Sequence, residues 1–274
     1  MAGQSTDHRL AYVFGSFWTH RQMIIQMTKR DVIGRYRGSM MGLLWSLITP
    51  LIMLTVYTFV FGFVFKARWD TGSGDRLQYA MALFAGLIVF GIFAECLNKA
   101  PTLIVSNVNF VKKVVFPVEV LPWITLLSSL FHATVSFAIL IVLNGFFSSS
   151  VHWTTLAIPI VLVPFLLMTL GLTWFLAALG VYLRDVSQTV GILTSALMFA
   201  SPIFFPITAL PEEYRGIFAL NPITIGVEQV RAVLLWGRWP DWREWSGFLG
   251  FAIFVAWLGL AWFQKARRGF ADVI

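Results

Sequence analysis

Residues 120–183 read VLPWITLLSSLFHATVSFAILIVLNGFFSSSVHWTTLAIPIVLVPFLLMTLGLTWFLAALGVYL, and no Asp, Glu, Lys or Arg interrupts them. The surface of a soluble domain needs charged residues every few positions, whereas a lipid bilayer excludes them. About 20 apolar residues, rising roughly 1.5 Å each, cross the hydrocarbon core of a bilayer. The stretch is therefore long enough for two crossings, divided near Ser148, Ser149 and Ser150. The chain is predicted to be an integral membrane protein.

The composition of the whole chain agrees with this class. Of its 274 residues, 58% are hydrophobic and 12% are charged, against about 25% charged residues in an average globular protein. The single cysteine, Cys96, excludes an internal disulfide framework. Residues 1–12 are polar and no apolar run follows them closely, so we expect no cleaved signal peptide.

Six spans are predicted from the apolar runs, and together they form one all-α transmembrane bundle. Residues 206–244 are also apolar but are broken by several prolines and glycines. We interpret them as short re-entrant helices, with a seventh crossing as the alternative. Pro50 is tolerated in the first span because neighbouring helices can satisfy the freed backbone groups. The predicted spans are 42–65, 77–94, 120–147, 156–183, 186–205 and 245–263.

The distribution of basic residues predicts the orientation. With six spans, 13 of the 20 Lys and Arg residues lie on the side that holds both termini, against 7 on the other side. Loops rich in Lys and Arg stay in the cytoplasm, so both termini are predicted to be cytoplasmic. The net charge of +7 favours contact with anionic lipids. Because the charges are dispersed over several loops, we expect no nucleic-acid partner.

An amphipathic helix is predicted in the N-terminal segment, residues 1–41. Phe14, Trp18, Ile25, Val32 and Tyr36 fall within about 40° of one another at 100° per residue. Such a helix lies in the membrane interface. It is either a topology anchor or a docking element for a soluble partner. Its basic residues near lipid phosphates are Lys29, Arg30, Arg35 and Arg37.

A second amphipathic helix is predicted between Pro101 and Pro117, inside the loop 98–118. Ile104, Val108 and Val111 repeat at helical spacing, and Asn109 belongs to the opposite polar stripe. This helix either caps the floor of the bundle or receives a mechanical push from a partner.

Few polar side chains lie inside the predicted spans. Glu95 and Lys99 form an i, i+4 pair that we interpret as structural. His132 lies alone in the middle of its span and is interpreted as a packing group. Without a chain of buried carboxylates, an ion-driven carrier or lipid flippase is weakly supported.

Aromatic residues crowd the outer ends of the first and fifth spans. Flat ring faces pack against the C–H faces of sugars, although packing against lipid is the alternative role for any single ring. The candidate sugar-contacting residues are Tyr57, Phe59, Phe61, Phe199, Phe204 and Phe205.

Several catalytic motifs are absent from the sequence. There is no G-x-x-x-x-G-K-[ST], no H-E-x-x-H and no Cys/His cluster. We therefore predict no catalytic residue, no metal site and no cofactor in this chain. A membrane-embedded glycosyl- or acyltransferase is the alternative, and it would need acidic or histidine groups gathered at one depth.

Six segments follow one another in a characteristic order: 29–51, 111–122, 184–186, 201–206, 220–222 and 270–274. Together they resemble the permeases of type 2 ABC exporters. The match covers nearly the whole chain, and the most similar branch exports lipid-linked O-antigen polysaccharide, followed by the teichoic acid branch. Val118 is a departure, because relatives often carry a polar or basic residue after Phe-Pro.

The resemblance implies a homodimer with two copies of a cytoplasmic ATPase that binds ATP and Mg. The substrate implied is an undecaprenyl-pyrophosphate-linked glycan, moved across the bacterial inner membrane through spans one and five of both copies. Capsular polysaccharide or teichoic acid is the alternative cargo. The ATPase-coupling residues implied are Arg30, Asp31, Asn109, Lys112, Lys113, Phe116 and Pro117, and we expect Lys29, Arg35 and Arg37 to hold the lipid pyrophosphate.

Overall fold

The computed structural model of the protein describes residues 10–64, 69, 76–111, 116–148 and 152–273. Within these ranges the chain is helical and has no β-strand, so the predicted all-α class is confirmed. Its α-helices are α1 (Leu10–Arg35), α2 (Trp45–Tyr57), α3 (Arg76–Leu103), α4 (Val108–Val111), α5 (Leu121–Ser148), α6 (Ile158–Tyr182), α7 (Val186–Phe199), α8 (Glu212–Ala219), α9 (Pro222–Leu234), α10 (Trp242–Arg267) and α11 (Phe270–Val273).

Five helical segments of the described chain are long and apolar enough to cross a membrane. Each exceeds the roughly 30 Å of a hydrocarbon core at about 1.5 Å per residue. In the first of them, α2 continues into a π-helical stretch, Thr58–Val64. The segments are Gly42–Val64, Leu77–Leu103, Val118–Phe147, Trp153–Tyr182 and Trp242–Arg267.

The second and fifth predicted spans have different lengths in the structure. α3 continues beyond residue 94 to Leu103 and contains Pro101 in its last turn. α6 can approach Pro101 because Gly180 has no side chain, and a Cβ there would overlap the proline backbone. α7 has only 14 residues and ends at Phe199, a rise of about 21 Å. Turns and bends occupy residues 200–205, where Pro202 cannot donate a helical hydrogen bond.

Two short helices follow, as predicted for residues 206–244. α8 and α9 meet at a bend of 92°. Asn221 begins α9, and its side-chain oxygen accepts a hydrogen bond from the Ile223 amide at 3.0 Å. Pro222 occupies the first helical position, and its backbone nitrogen needs no hydrogen-bond acceptor because it carries no hydrogen. A bend of this size fits the predicted re-entrant pair and also a broken crossing.

The helices differ strongly in how much of their surface is buried. In the most apolar window of Leu77–Leu103, 78% of the residues are buried, against 11% in Gly42–Val64. α3 is therefore the centre of the bundle, whereas the first span lies at its edge with most of its apolar surface uncovered.

α6 and α10 form the most extensive helix pair of the described chain. Gly171 and Gly259 face each other where the two backbones approach closely. A Cβ at Gly171 would lie 2.6 Å from the Cα of Ala256, and one at Gly259 would overlap the Gly171 carbonyl. Small residues permit this approach in membranes, where packing holds helices together.

Candidate functional site

α1 packs against the end of the bundle that also carries the last turn of α3 and the last turn of α10; we call this end the basic end. Ile24 and Val32 of α1 are buried, and Phe17 lies 4.8 Å from the ring of Trp123. Trp18 and Ile25 are exposed. The predicted stripe therefore divides: Val32 faces protein, while Trp18 and Ile25 remain free to face lipid. The side chain of Phe14 lies outside the described part.

A cavity of about 470 Å³ separates α1 from α3 at the basic end. It brings three of the predicted site residues, Arg30, Asp31 and Arg35, close to the segment that follows α3. Its lining consists of Met27, Arg30, Asp31, Gly34, Arg35, Lys99, Leu103, Asn107, Phe110, Leu121, Ile124 and Thr125.

Three charged residues that line this cavity, Asp31, Arg35 and Lys99, belong to one chain of ion pairs that also includes Glu95. Glu95 pairs with Lys99 as predicted, with Oε1 2.9 Å from Nζ, and it also forms an ion pair with Arg35. The Nζ atom of Lys99 lies 3.9 Å from a carboxylate oxygen of Asp31. Two predicted site residues on α1 are thus tied electrostatically to α3. The sequence did not predict that Arg35, expected to bind a head group, already has a protein carboxylate beside it.

The two other residues predicted to hold the head group, Lys29 and Arg37, are free, and so is Arg30 of the predicted coupling residues. Lys29, Arg30 and Arg37 are exposed, and among the described residues none of them forms an ion pair. A free ammonium or guanidinium group at a membrane interface is well suited to hold phosphate oxygens.

A groove of about 590 Å³ begins beside Arg35 and runs along the first span. Its polar end contains the Tyr36 hydroxyl, 3.3 Å from His132 Nδ1. Burial raises the pKa of Tyr36, and its hydroxyl donates to Nδ1 when that nitrogen carries no proton. The other ring nitrogen of His132 is buried without a hydrogen-bond partner. The apolar walls include Pro50, Met53, Tyr57, Phe84, Leu87, Phe90 and Met198.

The predicted helix between Pro101 and Pro117 is not continuous. After α3 ends at Leu103, a 3-10 turn covers Val105–Asn107 and α4 covers only four residues. The chain turns at Ile104, whose side chain is fully buried under the bundle. An anchored apolar residue at this point favours a bend over a straight amphipathic helix.

The coupling residues predicted in this segment have different surroundings. Asn109 is exposed, and Lys112 and Lys113 lie outside the described residues. Phe116 stacks on Phe110 with ring centroids 4.6 Å apart, and Pro117 is half-buried. Phe116 therefore contacts another residue of the same segment, whereas the exposed side chain of Asn109 is available to a partner.

The outer aromatic residues separate into two groups. Phe204 contacts Phe61 at 5.8 Å and Phe199 at 5.4 Å between ring centroids, so the first span, α7 and the turn after it share one cluster. Tyr57 joins it through Phe61 at 6.5 Å. Phe59 points elsewhere and is 61% exposed. Phe205 contacts Phe218 of α8 instead.

Arg231 in α9 is an important residue that the sequence did not single out. It is fully buried, and its guanidinium donates to the carbonyl oxygens of Ala82 at 2.9 Å, Pro202 at 2.7 Å and Ile203 at 2.8 Å. Glu228 lies 2.6 Å away. The Glu-x-x-Arg spacing inside an apolar helix was the available signal. The arginine fastens α9 to α3 and to the turn after α7.

Comparisons with known proteins extend over most of the chain. The family model described as ABC-2 type transporter matches residues 22–235. The O-antigen export system permease protein RfbA of Myxococcus xanthus is 26% identical over 259 residues, which are 94% of this chain and 97% of that protein. The protein of the same name from Klebsiella pneumoniae is 24% identical over 97% of this chain and 98% of its own length. The polysialic acid transport protein KpsM of Escherichia coli is 25% identical over 76% of this chain and 79% of its own length.

Proposed function

The chain belongs to the ABC-2 type transporter family, and on this premise we propose that it is the permease subunit of an ATP-driven exporter of undecaprenyl-pyrophosphate-linked O-antigen polysaccharide. The family and the five membrane-length helices make it a multi-pass membrane protein and confirm the resemblance found in the sequence. One observation carries the choice of cargo. The O-antigen relatives are similar over 94% and 97% of the chain, against 76% for a polysialic acid relative.

That relative keeps a capsular polysaccharide as the second candidate cargo. Both cargoes are long, hydrophilic glycans, and both need a path with sugar-compatible walls. The two candidates therefore share the mechanism below and differ in the polymer that accumulates when export stops.

The working unit is a homodimer. The first span leaves most of its apolar surface uncovered, and α7 exposes Ile192, Leu193 and Phe199. Membrane helices associate through close packing, and the uncovered surface beside the groove is where a second copy would pack. Two copies joined here would line a path with the first span and α7 of each, and the cluster of Phe61, Phe199 and Phe204 would lie at its outer end.

A separate ATPase supplies the energy, in two copies that bind ATP and Mg on the cytoplasmic side. The surface offered to it comprises the exposed part of the segment 105–117, including Asn109, and the adjoining polar side of α1 with Arg30 and Asp31. This chain has a transport role and no enzymatic one. Its location is the bacterial inner membrane, with both termini in the cytoplasm.

The lipid pyrophosphate is held at the basic end. Arg37 and Lys29 are free to bind phosphate oxygens, and Arg35 can move to them from Glu95 because Lys99 still neutralises that carboxylate. The groove beside Arg35 changes from polar to apolar along its length. This order of surfaces matches a ligand with a charged head and a polyprenyl tail.

Deletion of the chain in its own host tests the function and distinguishes the cargoes. Lipid-linked glycan should accumulate on the inner leaflet while surface polymer disappears, and mass spectrometry of that glycan names the cargo. Re-expression should restore export only together with an ATPase that can hydrolyse ATP. Unchanged surface polysaccharides after deletion would contradict the proposal, and a capsule-type glycan would select the second candidate.

A further inference from the structure

We propose that α10 transmits the motion of the coupling segment 105–117 to the bent pair α8 and α9. In this proposal, an ion pair between Arg267 and Glu119 connects the coupling segment to α10. The Nη1 atom of Arg267, the last residue of α10, lies 2.7 Å from Oε2 of Glu119. Glu119 lies two residues after Pro117, the end of the coupling segment, and is 3% exposed. The inference rests on the proposed function, because it assumes that the segment receives a load from an ATPase.

Glu119 is fastened through its backbone as well as its side chain. The indole N–H of Trp174 in α6 donates to the Glu119 carbonyl oxygen at 3.0 Å. Trp174 itself is 1% exposed and meets Trp123 of α5 edge-on. The end of the coupling segment is thus held by α6 through the main chain and by α10 through a charge.

The C-terminal end of α10 cannot swing freely, so Arg267 is a rigid attachment. The Tyr182 hydroxyl donates to the Ala266 carbonyl oxygen at 2.7 Å. Phe270 of α11 is 1% exposed and packs on Tyr182 and Phe263. Gly269 makes room for this arrangement, because a Cβ there would lie 2.6 Å from the Tyr182 oxygen. These contacts give Phe270, the first residue of the C-terminal motif, a physical role.

The opposite end of α10 reaches the bent pair. Glu244 in its first turn accepts a hydrogen bond from Gln229 of α9 at 3.4 Å, and Gln229 is buried. The indole N–H of Trp245 donates to the Ile160 carbonyl oxygen at 3.1 Å, which fixes the same turn to α6. The 26 residues of α10 extend about 39 Å.

α10 and α6 together behave as one stiff body, because the Gly171–Gly259 approach brings their backbones into contact. Packed helices move as units and do not deform continuously. A displacement of Glu119 therefore moves Arg267 and, through α10, the contact between Glu244 and Gln229. Arg267 is a positioning residue: it acts on the path through α10 and touches no substrate.

The test uses the full complex of this chain with its ATPase in proteoliposomes, and it measures glycan transported per ATP hydrolysed. Arg267→Leu should lower this ratio about fivefold while the complex still assembles. A fivefold loss lies within the range of effects seen when residues that connect two coupled sites are mutated. Arg267→Lys should recover most of it. Arg268→Leu is the matched control, because its side chain is exposed next to the ion pair. An unchanged ratio in Arg267→Leu would overturn the proposal.

A second readout does not depend on the cargo. Spin labels at Asn109 and Arg243, both exposed, report the distance between the coupling segment and the first turn of α10. Because the ion pair makes the segment and α10 move together, nucleotide binding should leave this distance nearly constant in the wild type and change it in Arg267→Leu. If the variant is poorly folded, Glu119→Gln keeps the shape of the side chain and should show about half of the distance change expected for Arg267→Leu. An identical change in wild type and variants overturns the role of the ion pair, whereas a wild type that moves no glycolipid overturns only the proposed function.

Discussion

Arg35 and Glu95 form an ion pair that joins the end of α1 to the central helix α3. Lys99 shares the same carboxylate at 2.9 Å. Removing one cation from a carboxylate is costly when the charge is left alone, and inexpensive when another cation remains. This pair can therefore open without leaving the Glu95 carboxylate unpaired, as the proposed transfer of Arg35 to a lipid phosphate requires.

The first prediction concerns this exchange. Arg35→Ala combined with Arg37→Ala should raise the glycolipid concentration for half-maximal transport about tenfold, the value of one charge-assisted hydrogen bond. Glu95→Gln should lower it, because the competitor for Arg35 has lost its charge. Transport assays in proteoliposomes measure both, and dimer assembly should not change. Arg184→Ala, an exposed basic residue in the turn before α7, is the control. If the glycolipid concentration for half-maximal transport is unchanged in the double variant, Arg35 and Arg37 do not bind the head group.

The second prediction concerns the coupling segment. Lys112→Ala combined with Lys113→Ala should abolish surface polymer while the chain still inserts and dimerises, because the predicted contact with the ATPase is lost. The measurements are polymer staining of intact cells and the amount of chain in membrane fractions. Lys265→Ala with Arg268→Ala changes the charge of the same end by the same amount. Equal export in both double variants would contradict a specific coupling role.

The third prediction concerns Arg231. Arg231→Leu leaves three carbonyl oxygens and Glu228 without their donor, and it should destabilise the protein by about 3–5 kcal/mol, as for other broken buried ion pairs. Arg231→Lys should retain only part of the lost stability, because an ammonium group lacks the planar donor geometry of a guanidinium group. Thermal unfolding in detergent measures the effect, and exposed Arg238→Leu is the control. A midpoint of Arg231→Leu equal to that of the control would show that the network is dispensable.

The fourth prediction concerns the glycine contact between α6 and α10. Gly171→Ala and Gly259→Ala should each destabilise by about 1–3 kcal/mol, since overpacking forces the helices apart. Gly250→Ala in the same helix meets nothing within 4 Å and should stabilise by up to about 1 kcal/mol through helix propensity. The sign of the change in unfolding midpoint distinguishes the two cases. A stabilising Gly259→Ala would contradict the close approach.

The sequence predicted those features that follow from hydrophobic runs and local spacing. Residues 120–183 indicated two crossings because a long stretch without charges has no other stable environment, and Glu95 and Lys99 form the pair expected four residues apart. The positions where spans end depended on tertiary contacts. α3 passes through Pro101 only because Gly180 in another helix leaves space, which no local pattern records.

The sequence predicted several residues of the candidate site, but it did not predict which residues they contact. Arg35 was expected near phosphate, yet its contact with Glu95 joins residues 60 positions apart. Arg231 was overlooked for a similar reason, because its acceptors are backbone carbonyls in α3 and after α7. Partners distant in sequence become visible only when the helices are packed. The six aromatic candidates likewise divided by helix face, with Phe59 and Phe205 directed away from the cluster that contains Phe204.

The most direct measurement of the central claim is transport in proteoliposomes that contain this chain with or without its ATPase. Undecaprenyl-pyrophosphate-linked glycan is supplied on the outer leaflet, and its arrival in the lumen is followed by protection from an added glycosidase. We predict ATP-dependent protection only when the ATPase is present and able to hydrolyse ATP. Protection at the same rate with the chain alone would contradict the account.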